Sequence, residues 1–141
     1  MKIRAQEYAN FFQNSNAQIK KEQYADFFDD HSSFEDPFQK VQGLDAVYKV
    51  FAHMYETLHK PNFFIEEIVA HESVAYIRWS FFYQLSQNTE IKSFEGVSPV
   101  VFRDDGKVHS HIDYWDAAQN VYEKVPILGA ILRFIKRRAR A

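Results

Sequence analysis

LDAVYKVFAHMYETLHKPNFFIEEIVA, residues 44–70, changes its hydrophobic period partway along, and that change decides the fold. Leu44, Val47, Tyr48, Phe51, Met54, Tyr55 and Leu58 hold one stripe, the spacing of an amphipathic helix that starts after Gly43. Pro61 is expected to end it. From Asn62 onward the repeat is that of strands. FFIEEIVA (63–70), VAYIRWSFFYQL (74–85), EIKSFEGVSPVVF (90–102) and KVHSHIDYWDA (107–117) read as four strands, rich in β-branched and aromatic residues. HES, SQNT and DDG between them are short, which favours antiparallel hairpins. Several strands are apolar on both faces, as in a sheet that curls with helices on one side and a pocket or partner on the other. Gly96 and Pro99, inside the third strand, are expected to mark a bulge or bend.

Upstream, Tyr8, Phe11 and Phe12 are spaced i, i+3, i+4, and Tyr24, Phe27 and Phe28 repeat that spacing, so two further amphipathic helices are expected. Ser15 and Gln18 have the spacing of a capping box that would start the second, and DDHSS (29–33) would stop it. Asp36-Pro37 in SFEDPFQKVQG marks a turn, because the proline ring pushes the preceding residue out of helical geometry. The order helix, helix, turn, helix, four strands predicts an α+β fold: a cone-shaped, curved antiparallel sheet packed against three helices. Residues 1–125 are assigned to this domain. Residues 126–141 form a basic amphipathic tail belonging to the same unit.

The chain has 141 residues, of which 46% are hydrophobic, enough for one domain with its own core. Phe 14, Tyr 8 and Trp 2 make that core one of rings. With no cysteine, disulfides and thiolate metal sites are excluded, and a cytoplasmic location is the default expectation. MKIRAQEYANFFQ at the start lacks the apolar run of a signal peptide. The formal charge is −2, yet Arg133, Lys136, Arg137, Arg138 and Arg140 all follow residue 125 with no acid among them, which leaves −7 on residues 1–125. A body so charged repels nucleic acid, and none is expected as a partner.

On the last strand His109, His111, Asp113 and Trp115 alternate and would share one face, with Val108, Ser110, Ile112 and Tyr114 on the other. Metal binding is the weaker reading of that face, because ligands four residues apart on a strand lie about 13 Å apart. For His109 the plain reading is exposure near the hairpin. Asp113, flanked by Ile112, Tyr114 and Trp115, should be partly desolvated, which raises its pKa and suits it to proton transfer. Arg78 is its natural counter-charge and would pull the pKa back down; an Arg78–Asp113 ion pair with a structural role stands beside the catalytic reading. Asp36, before Pro37, reads as a turn residue. The glycine-rich loops that cradle phosphates are absent, and no cofactor is expected.

In VPILGAILRFIKRRARA (125–141), Ile127, Leu128, Ile131, Leu132 and Ile135 fall on one helical face and Arg133, Lys136, Arg137 and Arg140 on the opposite one. The pattern is that of a membrane-surface helix. The simpler expectation packs the apolar face on the domain, over a pocket mouth or on a second subunit.

FEDPFQKVQGLDAVYKVF and HIDYWD, in that order with strands between, resemble the nuclear transport factor 2-like superfamily in its SnoaL-like branch, over residues 5 to 118. The resemblance implies a cone of three helices on a curved sheet, often dimeric through the sheet. The superfamily includes ketosteroid isomerase, limonene epoxide hydrolase, polyketide cyclases and non-catalytic domains. By position Asp36 falls where ketosteroid isomerase keeps its general base, and Ser98 where it keeps an acidic oxyanion partner. Phe12, with Tyr8 one turn earlier, lies near its oxyanion tyrosine. Asp113 and Arg78 fall on an aspartate and the bridging arginine of limonene epoxide hydrolase, with Ser80 where its second acid stands. SnoaL-like cyclases use one acid at the end of the pocket, a role open to Asp113 with His111 nearby. Trp115, Tyr8, Phe12, Ser80 and Ser98 are then the expected pocket residues.

Three functions follow from these readings. One is a proton-transfer enzyme on a small apolar molecule, with Asp113, His111, Arg78 and Asp36 as its catalytic set. Another is a non-catalytic binder of a hydrophobic ligand, docked to a membrane or partner by its basic tail. The last is a dimer whose sheet face is filled by rings and leaves no cavity.

Overall fold

The computed structural model describes residues 2–121 and 126–140. Its elements are α1 (Lys2–Gln13), α2 (Lys21–Tyr24), β1 (Ser33–Asp36), β2 (Gln39–Gln42), α3 (Leu44–Thr57), β3 (His59–His71), β4 (Val74–Gln84), β5 (Lys92–Phe102), β6 (Val108–Ile112), β7 (Tyr114–Trp115), α4 (Ala117–Asn120) and α5 (Pro126–Ala139). The strands form one curved, unclosed sheet in the order β2-β1-β6-β5-β4-β3, with β7 beside β5. The expected α+β class and the helices against a curved sheet are both present. β3, β4 and β5 are the antiparallel hairpin series read from the sequence, and the Asp36-Pro37 turn joins β1 and β2 in a small hairpin. Only β1 and β6 run parallel among the described strands.

The inner face of the sheet carries Ile77, Trp79 and Phe81 of β4 and Val100 and Phe102 of β5, all buried. Against it lie Ala5, Tyr8, Ala9 and Phe12 of α1 and Val47 and Phe51 of α3. Tyr8, fully buried, meets Phe12, Phe27, Phe28 and Phe102 edge-on at ring separations of 4.9 to 5.8 Å. Each such buried ring contributes roughly 2 kcal/mol of apolar transfer energy.

Several local expectations are corrected. The second helix is a single turn, and Phe27 and Phe28 reach the core from the turn that follows it, where the Phe27 carbonyl accepts from Val108 N at 2.8 Å. Ser15 does not cap that helix; its hydroxyl donates to the Phe11 carbonyl at 2.8 Å, while Gln23 Oε1 accepts from Lys20 N at 2.9 Å. α3 stops at Thr57, before Pro61. Pro61 lies within β3, an edge strand, where pairing with β4 is irregular between His59 and Asn62 and a missing donor is tolerated.

Gly96 and Pro99 make no bulge against β4, for the register runs unbroken from Val74 opposite Val101 to Tyr83 opposite Lys92. Gly96 is required by a close approach: a Cβ there would lie 2.4 Å from the Trp79 ring and 2.9 Å from the Tyr114 carbonyl oxygen. Pro99 acts on the other edge of β5. There β6 gives way to β7 in the same register, Val100 opposite His111 and Val97 opposite Tyr114. A residue without N–H cannot continue that ladder. At the gap the Asp113 N–H donates across to the Glu35 carbonyl at 2.8 Å.

The last strand does not alternate evenly. A register shift next to Val108 brings Val108 and His111 both to the buried side and leaves His109 exposed, so His109 and His111 do not share a face. Of the tail's expected apolar face, Ile127, Leu128, Ile131 and Ile135 are exposed and Leu132 is half-buried, so most of that face does not pack on the domain. The boundary drawn at residue 125 lies outside the described residues.

Candidate functional site

Five side chains from four elements meet inside the cone. Tyr8 comes from α1, Trp79 from β4, Ser98 from β5 and His111 from β6; Asp113 sits in the gap between β6 and β7. Antiparallel pairing explains the meeting. Trp79 stands opposite Gly96, which puts Ser98 one diagonal step away on the same face. The continuous register of β6 and β7 puts Asp113 across from Ser98 on the other side. The bulge at the start of β6 turns His111 inward beneath Tyr8.

These groups form one hydrogen-bonded chain. Trp79 Nε1 donates to Ser98 Oγ at 2.8 Å. An indole N–H is a donor only, so the Ser98 hydroxyl keeps its own proton to donate to Asp113 Oδ1. His111 Nε2 lies 2.6 Å from the same oxygen, and His111 Nδ1 lies 2.7 Å from the Tyr8 hydroxyl. Burial, then the negative charge of Asp113, hold the Tyr8 phenol well above its ordinary pKa, so it remains a neutral donor. Tyr8 has no other hydrogen-bond partner among the described residues, which assigns its proton to His111 Nδ1 and the imidazole proton to Nε2, facing Asp113. His111 and Asp113 are 8% and 14% exposed.

The second carboxylate oxygen of Asp113, Oδ2, accepts nothing from the described residues. No buried side-chain polar atom among them is left unpaired, so Oδ2 lies where solvent or a ligand reaches it. Asp113 borders a cavity of about 30 Å³, room for about two water molecules. Ser98, His111 and Asp113 make one polar stretch in a wall otherwise built from Phe12, Phe51, Phe63, Ile65, Ile77 and the Tyr8 and Trp79 rings. A carboxylate held by two donors on one oxygen and open on the other, in apolar surroundings, is equipped to take up and return a proton.

Of the residues expected at the site, Asp113, His111, Tyr8, Phe12 and Ser98 converge on the cavity. Arg78 does not. It lies half-exposed on the outer face and pairs with Glu67 at 3.6 Å, so the expected Arg78–Asp113 pair is absent and the partner of Asp113 is His111. Ser80 also faces away from the cavity and donates to Glu66 Oε1 at 2.7 Å. Asp36 shapes its own turn, accepting from the backbone of Phe38 at 2.8 Å and of Gln39 at 3.1 Å. Trp115 stacks on Phe94 at 4.2 Å, outside the cavity lining. Among the described residues no three metal-ligating side chains converge. Trp79 was not anticipated. Its signal is an indole N–H, which needs an acceptor, in a strand whose partner offers glycine opposite it and serine two residues on.

Helices packed on a curved, unclosed antiparallel sheet define a class of small α+β domains. A family model described as the SnoaL-like domain matches residues 5–111, and the chain belongs to that family. Among solved structures it is similar to a SnoaL-like polyketide cyclase from Shewanella denitrificans, so named without proof of activity (TM-score 0.69, 14% identity, covering 89% of this chain and 98% of that one). It is also similar to one with a ketosteroid isomerase-like fold from Catenulispora acidiphila, in complex with trimethylamine (TM-score 0.70, 10% identity, 84% and 88% covered). A third is a polyketide cyclase by name from a Jannaschia species (TM-score 0.70, 11% identity, 82% and 87% covered). At such identities the likeness is one of fold. No curated protein matches the sequence.

Proposed function

We propose that this chain is a proton-transfer enzyme, of isomerase, cyclase or hydrolase type, acting on a small apolar molecule. The observation that carries the proposal is Asp113 on the wall of an apolar cavity, with an Oδ2 that accepts nothing from the described residues. In this reading Oδ2 takes a proton from the substrate and returns it. Ser98 and His111 hold Oδ1 and fix the carboxylate in one orientation, and Tyr8 fixes the tautomer of His111. Phe12, Phe51, Phe63 and Ile65 exclude bulk water. With about 30 Å³ available, only a small substrate or a projecting group of a larger one reaches Asp113. Relatives named as cyclases and as an isomerase support a reaction of this kind.

The test is deuterium uptake from solvent at the carbons beside the carbonyl of acetone and butanone, whose methyl groups are small enough to project into that space, followed by proton NMR. The protein should accelerate uptake, and Asp113→Asn should lower the rate by roughly 10²–10⁴ with the fold retained. Uptake undiminished in Asp113→Asn removes Asp113 from the role. A second reading, a binder without catalysis, is favoured by the complete pairing of buried polar atoms among the described residues, which by itself serves to fix a core. It predicts no acceleration by either protein and saturable binding of the same ketones.

The same proposal has the chain pair with a second copy through the outer sheet face, where Phe64, Val69, Tyr76, Val97 and Tyr114 stand exposed. The acidic body disfavours nucleic acid, and a cysteine-free chain suits the reducing cytoplasm.

A further inference from the structure

α5 has a face that its own fold leaves uncovered. Ile127, Leu128, Ile131, Phe134 and Ile135 are 40 to 78% exposed. At the helical period they fall on one continuous arc. The helix rests instead on a narrower side, where Leu132 and Lys136 are half-buried and Gly129 is buried. Arg133, Lys136, Arg137 and Arg140 lie beyond the edges of the apolar arc. Arg138 falls within the arc at its C-terminal end, its guanidinium 5.9 Å from the centre of the Phe134 ring. No acid occurs among residues 126–141.

We propose that α5 docks the protein on an anionic lipid surface. The apolar arc would enter the boundary between headgroups and acyl chains while Arg137, Arg138 and Arg140 reach up to the phosphates. Charge argues for this occupant over the same face of a second copy, which would bring two helices without an acid together. The remainder of the chain carries −7, so an anionic surface repels it and attracts only this helix. The result is one defined orientation, with α5 on the membrane and the body turned to water. The helix is too short and too charged to cross; among the described residues no helix is long and apolar enough to do so. The inference does not depend on the cavity or its chemistry.

The test is flotation of the full chain with phosphatidylcholine vesicles, with and without phosphatidylserine. It is compared with Ile131→Asp/Phe134→Asp and with Arg137→Glu/Arg138→Glu. All four positions are exposed, so circular dichroism and thermal unfolding should match the parent. The parent is expected to float with serine-containing vesicles and not with neutral ones, with each double variant binding at least about tenfold less. Three results overturn the proposal. In the first, the parent stays in the aqueous fraction. In the second, Ile131→Asp/Phe134→Asp floats as the parent does, which reduces the contact to surface charge without insertion. In the third, the parent ignores lipid but self-associates, and that variant is monomeric, which makes the face a contact between copies.

Discussion

Tyr8 has two tasks, filling the core and presenting a proton to His111. Tyr8→Phe keeps the ring and strands the imidazole Nδ1 without its donor, and should cost about 1–3 kcal/mol in urea unfolding. The pH dependence has a definite sign. The folded pKa of Tyr8 lies above its ordinary 10.0, so its contribution is complete below that value and declines as pH rises past it. Tyr8→Phe should therefore lose less stability than the parent above pH 10. Gly96→Ala tests the neighbouring contact. Its methyl would meet the Trp79 ring at 2.4 Å, and displacing the indole should cost roughly 1–3 kcal/mol while weakening its bond to Ser98. Asp113 and His111 were legible in the sequence because polar groups within apolar strands stand out. Arg78 was not. Tyr76 and Phe82 make the outer face of β4 almost as apolar as the inner one, so alternation alone did not tell which side faced the helices.

The β5–β6 hairpin is the element that delivers His111 and Asp113, and the helical layer grips it. Arg103 binds Asp29 through both guanidinium nitrogens, one at 3.0 Å. Arg4 reaches the Gly106 carbonyl at 2.9 Å and the Asp26 carbonyl at 2.6 Å, and lies over the Phe27 ring. The Arg103 hydrogen bonds pull the Asp29 carboxyl from its ordinary 3.8 down to about 2. That contribution is present above 3.8 and lost as pH falls through about 2. The stability gap between the parent and Asp29→Asn should thus hold steady above pH 4 and close as pH approaches 2, measured by urea midpoints across the range. The hairpin itself was readable from Asp-Asp-Gly, since Gly106 supplies the positive φ the turn requires. The bulge beside Val108 was not readable. It adds a residue without changing composition, yet it puts His109 and His111 on opposite faces.

For the molecule as a whole, the order of helices and strands in the chain foretold the cone. Seven strands replaced the four expected, because the Asp36 turn closes a hairpin of its own and Pro99 splits the last strand. How the exposed faces are used depends on partners, which alternation does not name. If the outer face pairs two copies, Tyr76→Asp/Val97→Asp should convert a dimer into a monomer in analytical ultracentrifugation, with thermal unfolding of the single chain little changed. A parent sedimenting as a monomer at all concentrations would leave that face without this role.

Trp79 has a use beyond packing. Its indole is tied through one serine to the carboxylate with the open oxygen, so light emitted by that fluorophore responds to whatever settles there. The chain has two tryptophans, and Trp115 lies outside the cavity lining. In a Trp115→Phe background the tryptophan emission would therefore come from the site alone, a built-in optical gauge of occupancy for compounds that carry no colour of their own.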